Sequence, residues 1–216
     1  IVETYETGLS DPAVWTDPPP PDKEHPADTG IAPAAAEWAR PGLSTNDWIT
    51  ADLPCDYYEA FGRAFNGAAW FRKDVEIPAD WAGADLVLAL PAVDKHDIAF
   101  FNGVEIGRTG KDFEWECWKE PRTYTVPGKL VKDGKATIAV RVWSYALGGG
   151  FMTGADHFSL GRGDAALELE GEWLARVERD VGNRSDNVPP ICRPCDRSSG
   201  QPHALYDGMI APLQPF

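Results

Sequence analysis

The sequence predicts an all-β fold: a jelly-roll sandwich that carries an irregular, proline-rich arm at its N-terminus. Short segments rich in β-branched and aromatic residues alternate with Gly, Pro and Asn, which is the pattern of strands separated by turns. Apolar residues do not repeat with helical spacing over more than about ten residues. The 216 residues, 43% of them hydrophobic, are enough for one large sandwich with a substantial core.

Residues 1–45 form the predicted arm, which is acidic and rich in proline. Four consecutive prolines within residues 17–22 favour an extended polyproline conformation, and residues 34–38 predict one short helical turn. Disordered linkers rarely contain several large aromatic residues, so we expect the arm to wrap over the sandwich with tryptophans as anchors. The tryptophans in and just after the arm are Trp15, Trp38 and Trp48.

Residues 46–181 form the predicted sandwich. Within them, Asn102-Gly103 supplies the two residues of positive φ that a type I′ turn requires, and it predicts a β-hairpin. Seven or eight short strands with such turns are typical of a sandwich or jelly roll. The predicted strands cover residues 69–78, 85–91, 97–101, 104–107, 122–127, 136–143, 166–169 and 173–177.

Residues 182–216 predict a polar linker that turns apolar again after residue 203, as at the start of a new domain. In this segment Cys192 and Cys195 have CxxC spacing, but a zinc site needs two further nearby ligands. We favour a loop disulfide or free thiols there over a metal. The sequence leaves the redox state open for all four cysteines: Cys55, Cys117, Cys192 and Cys195.

The charge and hydropathy of the protein argue against two classes of partner. A net charge of −14 repels phosphate backbones, so we expect no nucleic acid as a partner. No run of 18 apolar residues is present, so we expect no membrane span. Because the sequence opens on Ile1 without a visible signal peptide, we expect a processed or truncated piece of a longer protein.

No catalytic motif is visible in the sequence. The Gly-x-Ser-x-Gly elbow is absent, the four histidines are scattered, and 34 acidic residues single out no carboxylate pair. The cluster at residues 94–97 fits a cation site or, more commonly, a turn whose carboxylates accept backbone N–H groups. We predict no catalytic residue, no metal and no cofactor, with a triad assembled only in space as the alternative.

The glycine run at residues 148–150 is the best candidate for ligand contact. No amphipathic helix follows it, so it does not predict a phosphate-binding loop. Loops at one end of a sandwich often carry binding sites, and aromatic rings and carboxylates gathered there suit a sugar. The alternative for the same residues is a purely structural role. The candidate carbohydrate contacts are Trp115, Trp118, Trp143, Tyr145, Gly149, Asp156 and His157.

Several of these segments together resemble a known family. Residues 70–78 and the hairpin at 97–107 resemble the galactose-binding-like, jelly-roll sugar-binding domain of family 2 glycoside hydrolases. Residues 121–131, 138–142 and 148–150 are similar to the version of that domain inserted in bacterial sialate O-acetylesterases. Residues 205–213 resemble the segment at which those proteins return to the esterase fold, with Asp207 where Asn is usual.

The resemblance implies a non-catalytic accessory domain, because the family keeps its catalytic Ser, Asp and His outside the inserted sandwich. It implies an SGNH-type esterase domain in the same parent protein as partner, and a glycan or O-acetylated sugar as the ligand of the parent enzyme. It also implies a secreted or periplasmic setting. Two alternatives remain: an independent carbohydrate-binding module, and a small hydrolase with an unrecognised site.

Overall fold

The computed structural model describes residues 26–111, 116–152 and 157–182, which form twelve strands, one short α-helix and four 3₁₀ turns. The strands are β1 (Ile49–Leu53), β2 (Gly67–Ile77), β3 (Leu86–Leu90), β4 (Val93–Asp94), β5 (His96–Phe101), β6 (Val104–Thr109), β7 (Arg122–Val126), β8 (Gly134–Ser144), β9 (Gly150–Phe151), β10 (Ser159–Arg162), β11 (Ala165–Glu168) and β12 (Gly171–Asp180). The helix is α1 (Tyr57–Phe61), and the 3₁₀ turns are Pro33–Ala35, Ala79–Trp81, Glu116–Lys119 and Gly128–Leu130.

The strands form two main antiparallel sheets. One has six strands in the order β1-β12-β2-β8-β5-β6, and the other has four in the order β11-β10-β3-β7. A third, minor ladder joins β4 to β9. Apolar side chains of both main sheets meet in one buried cluster, as Phe71 and Val140 do with Leu88 and Leu160. The predicted all-β sandwich is confirmed. Among the described residues no helix is long and apolar enough to cross a membrane.

The two sheets differ in how they bury their outer faces. Strand β3 alternates buried and more accessible side chains, which indicates one face on the core and one towards solvent. In β2 and β8 this alternation disappears, since residues 67–72 and 136–144 are buried on both faces. A strand loses its period-two pattern when both faces are covered, so a further layer must lie on the outer face of the six-stranded sheet.

Residues 31–48 supply that layer. Trp38 and Trp48 pack with Trp70 and Phe100 in a second buried cluster on the outer face of the sheet. The rings of Trp38 and Trp48 meet edge-on with centroids 5.4 Å apart, a favourable geometry for aromatic pairs. The described part of the N-terminal segment therefore lies on the sandwich through its tryptophans. Trp15, the other predicted anchor, lies outside the described residues.

A buried arginine holds the start of this segment. Arg141 on β8 donates from Nη1 to Asp28 Oδ2 (2.7 Å) and from Nε to Glu178 Oε2 (2.8 Å). Trp70 Nε1 donates to the same Glu178 oxygen (2.5 Å). Burial alone would raise the pKa of Asp28, but the hydrogen bonds and charge of Arg141 outweigh it and lower that pKa. The carboxylate of Asp28 is thus stabilised in its charged form.

Local sequence signals explain the predicted hairpin, the predicted helical turn and helix α1. Asn102 and Gly103 have φ values of 50° and 81°, which confirms the expected type I′ turn. The predicted helical turn near residue 34 is the 3₁₀ turn Pro33–Ala35. Helix α1 was not predicted, although its capping box is visible in the sequence: Glu59 N donates to Asp56 Oδ1 (2.8 Å), and Asp56 N donates to Glu59 Oε2 (3.2 Å).

Candidate functional site

Three segments converge at one end of the sandwich. The junction of β4 and β5 places Asp94 opposite Gly150, the first residue of β9. The 3₁₀ turn Glu116–Lys119 contacts the same junction, because Cys117 Sγ donates to the Lys95 carbonyl (3.0 Å). We call this region, made of residues 94–96, 116–120 and 144–150, the loop end. It contains the glycine run that the sequence singles out.

Arg122, the first residue of β7, holds together the segments that lie beneath the loop end. Its side chain is fully buried, and its N–H groups are directed at five acceptors. Five is the number of N–H donors in a guanidinium, so the group has little freedom to move. The acceptors are Asp97 Oδ1 and the carbonyls of Val93, Lys95, Cys117 and Glu120. Arg122 therefore ties the β4–β5 junction to the 116–120 turn.

Asp97 is the buried carboxylate that pairs with Arg122, and its partners bear on the charged cluster at residues 94–97. It accepts from Arg122 Nε (2.7 Å) and from Tyr124 Oη (2.7 Å). Burial raises the pKa of Asp97, with Arg122 acting in the opposite direction. The described partners of the carboxylates in this cluster are the side-chain cations of Lys95 and Arg122 and the Tyr124 phenol. Across the described ranges no group of three or more potential ligands could hold a metal.

Asp94 and Lys95 form the charged part of the loop end. Lys95 Nζ lies 2.6 Å from Asp94 Oδ1, and the Lys95 and Asp94 side chains are 3% and 18% exposed, respectively. Lys95 Nζ also lies 5.6 Å from the centre of the Tyr145 ring, within cation–π range. Burial raises the pKa of Asp94 although Lys95 opposes the shift. Asp94 is therefore the more exposed member of this pair.

The glycine run lies against helix α1 in a fixed conformation. Tyr57 N donates to the Gly149 carbonyl (2.8 Å), and Asn66 Nδ2 donates to the Gly148 carbonyl (3.1 Å). A Cβ at Gly149 would lie 2.6 Å from the Tyr57 ring, so only glycine fits there. Leu147 precedes the run at φ 64° and is 44% exposed. A left-handed leucine costs about 1–3 kcal/mol and commonly marks a functional site.

The structure places the predicted contact residues in three different situations. Tyr145, Gly149 and the partly buried Trp118 lie in the loop end, and His157 is exposed. Trp143 and Tyr145 are each 1% exposed, because β8 continues to Ser144 and both rings pack with Ala68 and Ala146 in a third buried cluster. Neither ring offers a free face for a sugar. Trp115 and Asp156 lie outside the described residues. Glycan contact by these residues stays a prediction.

Sequence reasoning missed several residues that the structure brings to this end. Asp94 and Lys95 were visible only as part of a charged cluster, and Leu147 only as a neighbour of the glycines. Tyr58, which follows the residue bonded to Gly149, is 61% exposed and offers the free aromatic face that Trp143 and Tyr145 lack. The capping box of α1 was the available signal for placing Tyr58 in an ordered, exposed position.

Comparisons with known proteins give partial likenesses only. No protein-family model and no curated protein matches the sequence. A β-glucuronidase from an uncultured Clostridium species is 22% identical over 56% of this protein and 20% of its own length, with a TM-score of 0.41. Bacteroides uniformis β-glucuronidase 2 is 18% identical over 68% of this protein and 16% of its own length, with a TM-score of 0.45. A family 2 glycoside hydrolase from Bacteroides cellulosilyticus is 19% identical over 54% of this protein and 17% of its own length, with a TM-score of 0.44.

Each of these likenesses covers only part of this protein. The match spans a fifth or less of the length of each of the three. All three are glycosidases by name. None is named as an esterase, so the esterase parent implied by the sequence receives no support from them. The TM-scores are below 0.5, and no activity is transferred from these proteins.

Proposed function

We propose that this protein is a non-catalytic, carbohydrate-related accessory domain whose loop end contacts a glycan held by another domain of the same polypeptide. The observation that carries the proposal is the Asp94–Lys95 pair: a largely buried charge pair in which Lys95 is 3% exposed and the Asp94 side chain keeps 18% of its surface exposed. Sugar hydroxyls are commonly recognised by a few carboxylates and other polar groups placed at fixed positions. The five-acceptor bonding of Arg122 holds these groups in place.

The described chemistry of the loop end supports a binding role over a hydrolytic one. Ser144 Oγ donates its hydroxyl hydrogen to the Ala146 carbonyl (3.1 Å). Asp94 is engaged by Lys95, and the nearby His96 ring packs edge-on against Tyr145 with centroids 5.8 Å apart. A nucleophile needs a base within about 2.6–3.2 Å. The described residues of the loop end display no such pair, and we therefore prefer the binding role to a small hydrolase.

The proposal also includes the identity of the parent enzyme. We infer a sialate O-acetylesterase-like carbohydrate esterase, with an SGNH-type domain as the neighbour and a secreted or periplasmic location. The support is the sequence resemblance alone, chiefly residues 205–213, which lie outside the described residues. The likeness to family 2 glycosidases favours only the broader statement, an accessory sandwich in a carbohydrate-active protein.

A second candidate function is an independent carbohydrate-binding module. The exposed ring of Tyr58 favours it, since a free aromatic face near the loop end can stack on a pyranose. The two functions differ in what the domain does without its neighbour. A module binds glycan by itself, whereas an accessory domain alters the kinetics of the parent enzyme and binds weakly or not at all alone.

The deciding experiment uses the full-length protein that contains this domain. The double variant D94N/K95M removes both charges, so neither is left buried without its partner. We expect a rise in KM of about tenfold for the glycan substrate, equivalent to one or two lost hydrogen bonds. The exposed turn residue Asp133 provides the control D133N. Unchanged kinetics in a D94N/K95M protein with native circular dichroism would refute the proposal, and saturable glycan binding lost only in Y58A would establish the module instead.

A further inference from the structure

A second concave site lies on the outer face of the six-stranded sheet. It is a cleft of about 330 Å³ between the loop at residues 41–45 and strands β2, β8 and β12. Thr137 on its floor precedes Ser144 of the loop end by seven residues on β8, which corresponds to about 23 Å along a strand. The cleft is therefore separate from the loop end, and the proposed function makes no use of it.

The floor of the cleft is polar and carries an excess of positive charge. Arg72 is only 3% exposed in its side chain and lies 3.7 Å from Asp74. Lys135 Nζ lies 3.0 Å from the same carboxylate. Two cations therefore share one anion, although the protein as a whole has a net charge of −14. This local excess favours an anionic ligand.

Arg72 retains donors for such a ligand. Its Nη1 donates to the Trp38 carbonyl (2.9 Å) and its Nη2 to Thr137 Oγ1 (3.3 Å). A guanidinium has five N–H donors, so three have no hydrogen-bond acceptor among the described residues. Buried arginine donors are suited to carboxylates, which they bind in a planar, two-point geometry.

The remaining groups of the cleft suit hydroxyls and an apolar surface. Asp74 accepts from Thr137 Oγ1 (2.7 Å) and has oxygen lone pairs left for a further donor. Burial alone would raise the pKa of Asp74, but hydrogen bonds from Thr137 and Lys135 and the charge of Arg72 lower it, so it stays an acceptor. The side chains of Leu43 and Leu174 form apolar walls.

We propose that this cleft binds a small hydroxylated carboxylate. The carboxylate of the ligand pairs with Arg72 and Lys135, its hydroxyls donate to Asp74, and its C–H surface packs on Leu43 and Leu174. Two sources have this chemistry: a cyclic acidic sugar and a linear hydroxy acid. A pocket with apolar walls and a few converging polar groups is the usual form of such a site.

The test is a titration of the full 216-residue protein, followed by amide chemical shifts in NMR. The ligands are D-glucuronate, the linear acid D-gluconate, neutral D-glucose and acetate, each added separately at constant ionic strength. We expect saturable shifts at residues 41–45 and 135–137 with glucuronate or gluconate, and at least tenfold weaker binding of glucose and acetate. Tighter binding of glucuronate indicates a cyclic acidic sugar as the ligand, and tighter binding of gluconate indicates a linear hydroxy acid. Equal binding of glucose, or no saturable shift with either hydroxylated carboxylate, overturns the proposal.

Variants locate the binding without disturbing the core. Lys135 is 68% exposed in its side chain, so K135Q leaves the fold intact, and we expect it to weaken binding by about five- to tenfold. K129Q removes the same charge from another exposed lysine and leaves binding unchanged. Equal losses in both variants would show a general charge effect and refute the site. D94N/K95M leaves cleft binding unaffected, so this proposal and the proposed function fail or succeed separately.

Discussion

Arg122 and Asp97 form an ion pair in which both side chains are fully excluded from solvent, with Nε 2.7 Å from Oδ1. An isolated buried charge is very unfavourable, so such a pair persists only when its remaining hydrogen-bonding groups are also satisfied. Here the remaining N–H groups of Arg122 go to main-chain carbonyls, and the second oxygen of Asp97 accepts from Tyr124. The pair therefore acts as a joint between the two sheets and the loop end.

The first prediction concerns this pair. R122M removes the guanidinium but leaves Asp97 buried, and we expect a loss of about 3–5 kcal/mol in the free energy of unfolding. The exposed pair of Arg108 and Glu105 provides the control, since R108Q should cost less than about 1 kcal/mol. Urea unfolding followed by tryptophan fluorescence measures both. A loss for R122M no larger than that for R108Q would contradict the role assigned to Arg122.

The second prediction concerns acid and Asp28. Because Arg141 lowers the pKa of Asp28 below its ordinary value of 3.8, the charged carboxylate stabilises the folded state. That stabilisation is complete well above pH 3.8 and is lost as the pH falls through the lower, folded-state pKa. The difference in free energy of unfolding between the wild type and D28N should be about 1 kcal/mol or more at pH 7. It should shrink steadily below about pH 4.

The measurement for Asp28 is chemical denaturation of both proteins at a series of pH values. Subtracting the two curves cancels the contributions of the other titrating groups, among them Asp94 and Asp97, whose pKa values are raised. A difference that stays constant between about pH 7 and pH 3 would show that Asp28 is not held by Arg141 in solution.

The third prediction concerns Gly149. A methyl group there would meet the Tyr57 ring at 2.6 Å and Ser144 Cβ at 2.8 Å. We expect G149A to lose about 1–3 kcal/mol through overpacking. G161A on β10 is the matched control, because its nearest neighbour would be 3.3 Å away and its backbone has ordinary φ. Thermal unfolding should separate the two variants, and equal melting temperatures would contradict the described packing of the glycine run on α1.

The fourth prediction concerns Leu147. Glycine at φ 64° relieves the left-handed strain but gains entropy in the unfolded state, so L147G should change stability by less than about 1 kcal/mol. V104G replaces another exposed aliphatic residue, but in a strand, and should be destabilising by about 1 kcal/mol. If the loop end contacts glycan, L147G weakens that contact despite its stability. A large destabilisation by L147G would instead assign Leu147 a structural role.

The extent to which sequence predicted this fold follows from the length and periodicity of each strand. Strand β3 alternates regularly over five residues, and its predicted range of 85–91 encloses the observed Leu86–Leu90. Strands β4 and β9 contain two residues each and exist only through each other, so no local pattern marks them. Helix α1 has five residues, too few for a hydrophobic period, and only its cap was visible.

The site was less predictable than the fold. The glycine run was recognised because adjacent glycines let the backbone approach either another loop or a ligand closely. Trp143 and Tyr145 were predicted to be surface aromatics because they adjoin the run, but β8 is covered on both faces. Which face of a strand is covered depends on residues far away in sequence, here including Ala68 and Val181, which pack with Trp143. The Arg122 interactions with the main chain are equally invisible to sequence patterns, because carbonyl acceptors are common to all residues.

The ion pairs of Arg141 with both Asp28 and Glu178 have a geometric consequence. These two residues lie near opposite ends of the described sequence, yet both carboxylates bind one guanidinium at 2.7 and 2.8 Å. The points at which the polypeptide enters and leaves the sandwich are thus side by side. A host protein could accommodate such a unit at a surface turn with little separation of the turn's two arms.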